Sequence, residues 1–240
     1  MSEIIYGKNS VREALRNERK ISKVYITNND NEIISLCKKN NINYKLVDKN
    51  FIQKMTTGNH QGVVAEVEEY AYCKLEDIIT DKKDSLILIL DGLEDPHNLG
   101  AIIRTAEASG VDGIVLPKNR SVKLSGVVAK VSTGAIEYVK VCEVVNLTRA
   151  IQTLKDNGYW IVGAERSDKS VVHSDLKYDF KTALVIGSEG KGISRLVKEE
   201  CDYLVEIPMV GKINSLNASV SAGILVYEIR RQQRWIKINE

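Results

Sequence analysis

The chain has 240 residues, 43% of them hydrophobic and 28% charged, and a formal net charge of +2. This lies inside the ordinary globular range, with room for one large domain or two smaller ones. No apolar run nears the roughly 18 residues of a membrane span, and the opening MSEIIYGKNS lacks the apolar stretch of a signal peptide, so a cytoplasmic protein with no membrane partner is expected.

Charge is spread unevenly. Residues 1–60 hold 11 basic and 6 acidic side chains, residues 61–97 hold 3 and 10, and residues 98–240 hold 20 and 16. A basic excess at both ends suits anion-binding surfaces on two domains joined by an acidic stretch. Cys37, Cys73, Cys142 and Cys201 form no C-x-x-C pair and have no nearby His at metal spacing. No metal site or disulfide framework is therefore expected, and the four read as small buried hydrophobes.

Taken in chain order, Ser10-Val11-Arg12-Glu13 has the form of a capping box and predicts a short helix after Asn9. KVYIT (23–27) predicts a strand, and residues 30–40 place Ile33, Ile34 and Cys37 on one helical face. NYKLV (43–47) is a second strand, followed by Asp48 as the cap of a helix through Met55. Gly58 to Gly62 is a turn and VVAEVEEY (63–70) a third strand, which makes residues 1–70 a small α/β domain. Residues 71–84 are polar and acidic apart from Leu75, Ile78 and Ile79, and read as a linker with one helical turn.

From Ser85 a second alternation begins, with strands LILILDG (86–92), GIVLP (113–117), YWIVGA (159–164), TALVIG (182–187) and YLVEIP (203–208). Continuous apolar strands of this type predict a mainly parallel sheet covered on both faces over residues 85–240. The last helix is predicted from Ser215 to about Arg234, with Ser215 able to cap it and Val220, Ile224, Leu225 and Ile229 toward a core. Arg230, Arg231 and Arg234 near its end suit either the helix dipole or an RNA partner.

The glycines Gly187, Gly190 and Gly192 do not have the G-x-G-x-x-G spacing of a dinucleotide site, and Ile193 stands where a phosphate-binding loop needs Lys. Three longer segments carry a different signal: DGLEDPHNLGAIIRTAEASG (91–110), LVIGSEGKGIS (184–194) and IPMVGKINSLNASVSAGILVYE (207–228). In order, spacing and strand-loop-helix placement they resemble the three motifs of the SpoU (TrmH-type) RNA ribose 2'-O-methyltransferases. YGKNSVREAL near the start is similar to the small substrate-binding domain of the RlmB-like branch, so the resemblance covers nearly the whole chain.

The resemblance implies a SPOUT-type α/β domain with a deep trefoil knot, where patterning alone would choose an open sheet without one. It implies S-adenosylmethionine as cofactor and a homodimer whose active site is completed across the interface. It also implies methylation of a ribose in structured RNA, in that branch a guanosine of 23S ribosomal RNA.

Residue roles follow from the same resemblance. Asn98, which could also cap a helix, would orient the substrate, and Arg104 would enter the active site. A guanidinium is a poor base and a good phosphate clamp, so Arg104 reads better as a clamp that stabilises the developing alkoxide. Glu189, at the carboxyl end of a predicted strand, would be an active-site acid, and Ser215 and Asn217 would line the reaction centre. Gly187, Ile207 and Leu216 match main-chain cofactor contacts, and Met209 would pack near the adenine. No metal is required, because the sulfonium already activates the methyl group. A transfer-RNA ribose methyltransferase and a non-catalytic RNA-binding protein on the same scaffold stay open as alternatives.

Overall fold

The computed structural model describes residues 2–17, 19–213 and 215–235. The chain runs β1 (Ser2–Tyr6), α1 (Lys8–Arg16), β2 (Ile21–Ile26), α2 (Asn31–Lys39), β3 (Tyr44–Leu46), α3 (Lys49–Met55) and β4 (Val63–Glu68). It continues through β5 (Leu86–Asp91), α4 (Pro96–Ser109), β6 (Gly113–Pro117), α5 (Gly126–Val131), β7 (Val141–Val144), α6 (Leu147–Asp156) and β8 (Tyr159–Ala164). The last elements are β9 (Val171–Val172), β10 (Lys181–Gly187), α7 (Arg195–Glu199), β11 (Tyr203–Glu206) and α8 (Ala218–Arg230). Two compact units result, one of Met1–Ala71, Leu99–Arg104 and Lys123–Tyr138, the other of Tyr72–Asn98, Thr105–Val122 and Val139–Glu240.

The first unit is a four-stranded sheet in the order β1-β4-β2-β3, with β4 antiparallel to both neighbours and β2 parallel to β3. Its opening strand β1 was not expected. The predicted capping box at Ser10 is also corrected: α1 starts at Lys8 behind Gly7, whose φ of 95° only glycine takes without strain. Ser10 is buried instead, and its hydroxyl donates to the Ala129 carbonyl at 3.0 Å. Asp30 and Asp48 cap α2 and α3, accepting from Ile33 N and Phe51 N. Helix α5 joins this unit by backbone approach, since a Cβ on Gly126 would meet the Ile4 carbonyl oxygen at 2.1 Å.

The second unit is a seven-stranded parallel sheet in the order β7-β6-β5-β10-β8-β11-β9. One face carries Ile87, Ile89, Ile161, Ala183 and Val185 against Leu147, Ile151 and Leu154 of α6 and Val197 of α7. Leu88, Leu90, Val162, Leu184 and Ile186 alternate with them and are buried too, as expected of strands covered on both faces. Strands β7 and β9 escaped the sequence reading, one being four residues with a Glu and the other only two.

Residues 71–84 are not a free spacer. They contain a single 3-10 turn, Leu75–Ile78, and Ile78 lies in the same core at 1% exposure. Cys73 pairs with Cys142 across an isolated parallel bridge, which brings their Sγ atoms to 2.8 Å although 69 residues separate them.

Helix α8 begins at Ala218 rather than Ser215, ends at Arg230, and passes into a π-helical turn over Arg231–Trp235. Its buried stripe is Ala218, Ala222, Leu225, Val226 and Ile229, so Val220 and Ile224, expected in the core, face outward at 49% and 37% exposure. The basic end also differs from expectation, because Arg230 is fully buried. Its Nε donates to the Ser109 carbonyl at 3.0 Å, Nη1 to Asp84 at 2.5 Å, and Nη2 to Gly110. It thus satisfies carbonyls at the end of α4 that the helix leaves open. Arg231 pairs with Glu228 at 2.8 Å, and the side chain of Arg234 lies outside the described residues.

Candidate active site

In open α/β sheets, ligands bind beyond the carboxyl ends of the strands. In the second unit this end opens into a cavity of about 750 Å³ lined by residues that follow β8, β10 and β11 and precede α8. Gly187, Glu189, Ile207, Met209, Ser215, Leu216 and Asn217, all singled out from the sequence, line it.

A three-residue polar network stands at its edge. Asn98 is the third residue of α4 and only 5% exposed. Its Nδ2 donates to Glu189 Oε1 at 3.0 Å, while Asn217 Nδ2 donates to the same oxygen at 2.7 Å and to Asn98 Oδ1 at 2.9 Å. The Ala218 amide also donates to Glu189 Oε1, at 3.4 Å. Glu189 Oε2 accepts no hydrogen bond among the described residues, which leaves it available to a hydroxyl donor.

The two caps fall elsewhere than expected. Asp95 caps α4, with Pro96 as the first helical residue, so Asn98 keeps its amide for Glu189. Asn217 rather than Ser215 caps α8, its Oδ1 accepting from Ser219 N at 2.9 Å and Val220 N at 3.3 Å. One asparagine therefore starts a helix with its oxygen and holds a carboxylate with its nitrogen.

The loop that carries Glu189 is held at both ends. A Cβ on Gly187 would meet the Gly192 carbonyl carbon at 2.2 Å, and Ser188 and Gly192 exchange amide hydrogen bonds of 3.0 and 3.1 Å. Strand β10 lies between β5 and β8, and each neighbour sends a carboxylate to the far end of the loop. Asp91 Oδ2 accepts from Ser194 N at 2.7 Å and Glu165 Oε2 from Ile193 N at 3.0 Å, while Glu165 also pairs with Lys198. Sequence reasoning missed Glu165 and Asp91, although each is an acid at the end of a continuous apolar strand.

Arg104 behaves differently from the other candidates. It is exposed on α4 opposite the buried Ile102, Ile103 and Ala106, forms no ion pair or hydrogen bond among the described residues, and does not line the cavity.

The donor set suits a cationic cofactor with an apolar end. Ile186, Met209 and Leu225 offer apolar surface, and among the described lining residues the carboxylates of Glu189 and Glu206 stand with Arg166, while Glu165 is paired with Lys198. Opposite charge in a concave, partly desolvated site favours a sulfonium. Gly187, Ile207 and Leu216 also line the wall, and the only polar groups these residues have are their main-chain amides and carbonyls. The cavity residues fit S-adenosylmethionine.

Comparison with known proteins shows the family. Residues 85–227 match the SpoU rRNA Methylase family, and residues 4–73 match the RNA 2'-O ribose methyltransferase substrate binding family. A relative from Staphylococcus saprophyticus, named as a TrmH family tRNA/rRNA methyltransferase, is 47% identical over 97% of this chain and 97% of its own. The AdoMet-bound rRNA methyltransferase of Sinorhizobium meliloti is 27% identical with a TM-score of 0.83, covering 96% of this chain and 87% of that one. The SpoU methyltransferase AviRb of Streptomyces viridochromogenes, crystallised with AdoMet, shares the fold at a TM-score of 0.85 and 23% identity, over 100% of this chain and 92% of its own. With the family match spanning every strand of the parallel sheet and a relative 47% identical over nearly the whole chain, the chain belongs to the SpoU family and is an S-adenosylmethionine-dependent RNA 2'-O-methyltransferase.

Proposed function

We propose that this enzyme methylates the 2'-hydroxyl of a guanosine ribose in 23S ribosomal RNA, acting in the cytoplasm as a homodimer. The observation that carries the reading is the joining, in one chain, of a substrate-binding segment at residues 4–73 to the Asn98–Glu189–Asn217 network at the cavity edge. In this reading residues 1–70 bind RNA, residues 71–84 connect, and residues 85–240 form the catalytic domain, knotted as in SPOUT proteins.

When bound, S-adenosylmethionine supplies a methyl group already activated by its sulfonium. The chain must hold the ribose hydroxyl in line and manage its proton. Asn98 and Asn217 grip one oxygen of Glu189 and so fix the carboxylate's orientation, leaving Oε2 to accept from the 2'-hydroxyl. Arg104 clamps the phosphate of the target nucleotide and stabilises the developing alkoxide, since its guanidinium stays protonated and serves poorly as a base. Ser215 lines the reaction centre beside Asn217. Gly187, Ile207 and Leu216 bind the cofactor through their main chain, with Met209 against the adenine.

The dimer is supported by an apolar stripe on α8 away from its buried side. Val220, Ile224 and Tyr227 are spaced i, i+4, i+7 and are exposed at 49%, 37% and 42%.

The test is methyl transfer from labelled S-adenosylmethionine to total RNA of a strain lacking the protein, followed by mapping of the label. Label on a guanosine ribose of 23S RNA is the expected result. Label on transfer RNA would retain the chemistry and establish the second reading, which the relative's name, covering both RNA classes, keeps in play.

A further inference from the structure

We propose that the face of the first unit formed by Lys23 and Tyr25 of β2, Lys45 of β3 and Phe51 of α3 binds a single-stranded segment of the RNA, with an unstacked base on Phe51 and phosphates on the surrounding lysines. The proposal rests on the RNA-methylation reading and names the surface through which the small unit would engage its substrate.

The geometry is a short aromatic platform with cations at both ends. The Tyr25 and Phe51 ring centroids lie 5.2 Å apart. Lys23 Nζ stands 5.6 Å from the Tyr25 centroid, and Lys45 Nζ 5.9 Å from the Phe51 centroid. Tyr25 is anchored, 8% exposed, with its hydroxyl donating to Glu66 Oε1 at 2.9 Å. Phe51 is 39% exposed, a large uncovered surface for a phenyl ring sitting on a fixed base.

Part of the basic charge of the unit is already paired. Lys8, Arg12, Arg16, Arg19 and Lys20 are each paired with a carboxylate. Among the described residues, Lys23, Lys45, Lys49 and Lys54 form no ion pair. Two acids lie close by and are fixed in place: Asp48 accepts from Phe51 N to cap α3, and Glu66, opposite Lys23 in the ladder, accepts from Tyr25 and Ser22. A polyanion therefore meets the ammonium groups of Lys23 and Lys45 at the two ends of a platform whose outer ring is exposed. Base stacking on an aromatic side chain needs a base out of its duplex, and lysines holding phosphates impose no sequence, so the ligand is a single strand rather than a helix.

The experiment measures fluorescence anisotropy of the full chain with a labelled single-stranded oligoribonucleotide and with its duplex, across a salt series. Phe51→Ala is expected to weaken single-strand binding about tenfold and Phe51→Trp to retain it, since stacking needs a ring and not this ring. Replacing Lys23 and Lys45 by Gln is expected to lower the salt slope by about 1.4, at about 0.7 for each phosphate that is no longer neutralised. The circular dichroism spectrum and S-adenosylmethionine affinity of each variant should match the parent, which separates a surface effect from misfolding. Parent-like binding by Phe51→Ala, a preference for duplex, or no binding of free RNA by the parent would each overturn the proposal. Methyl transfer to total RNA is scored in parallel. Its absence in the parent would refute the enzymatic reading alone, and its presence beside an unaffected Phe51→Ala would refute the surface alone.

Discussion

At the scale of single residues, Asn217 does the most with the fewest atoms. Its oxygen starts α8 and its nitrogen holds Glu189 and Asn98. Asn217→Ala should therefore lower kcat about a hundredfold, the usual cost of removing one preorganised donor from a reaction centre. It should also destabilise the fold by about 1 kcal/mol through the lost cap. Single-turnover kinetics and thermal melts read the two effects apart. Arg104→Ala should remove most methyl transfer while leaving S-adenosylmethionine affinity within a factor of about two, because the exposed guanidinium lies outside the cavity wall. Equal loss of cofactor binding, measured by calorimetry, would sink the clamp role. Cys37 is fully buried, and burial pushes its thiol up to about 11, so it should resist alkylation at mild alkaline pH until the protein unfolds.

At the scale of elements, the β10–α7 loop shows how a sheet can shape a site. The strands on either side of β10 supply Asp91 and Glu165 to consecutive amides, Ser194 and Ile193. Glu165→Ala should leave Ile193 N without its partner and raise the KM for S-adenosylmethionine several-fold with kcat at saturation little changed. Glu165→Gln, which keeps an acceptor oxygen, should restore most of the affinity. Gly187→Ala should be worse, because the added methyl meets the backbone at 2.2 Å and not a side chain that can swing away. Arg230 ties the last helix to the carbonyls of Asp84, Ser109 and Gly110. Arg230→Met should cost about 3 kcal/mol, seen as a lowered midpoint in urea, since buried carbonyls lose a charged donor.

At the scale of the whole molecule, the proposed homodimer assigns the exposed stripe of α8 to the interface. Ile224→Asp should shift the mass in sedimentation equilibrium from dimer toward monomer and lower activity without changing the fold seen by circular dichroism. An unchanged dimer would place the interface elsewhere.

The division between what was legible in the chain and what was not follows the range of the forces involved. Buried strands such as LILILD and TALVIG announce themselves because both faces of a parallel strand must be apolar, a requirement each segment meets by itself. Asn98, Glu189 and Asn217 could be named beforehand because they sit in segments that resemble the three SpoU motifs. That they share one carboxylate oxygen could not, since the hydrogen bonds join residues 91, 119 and 28 positions apart. The same holds for caps and faces. Ser10 and Ser215 have the right chemistry to start a helix, but the backbone at Gly7 and the reach of Asn217 decided otherwise. Arg230 looked like a surface cation until helix phase turned it toward open carbonyls, and Cys73 and Cys142 looked scattered until the sheet edge set them side by side. Local pattern determined the elements and the family of the site, while helix phase and partners distant in sequence determined which polar atom answers which.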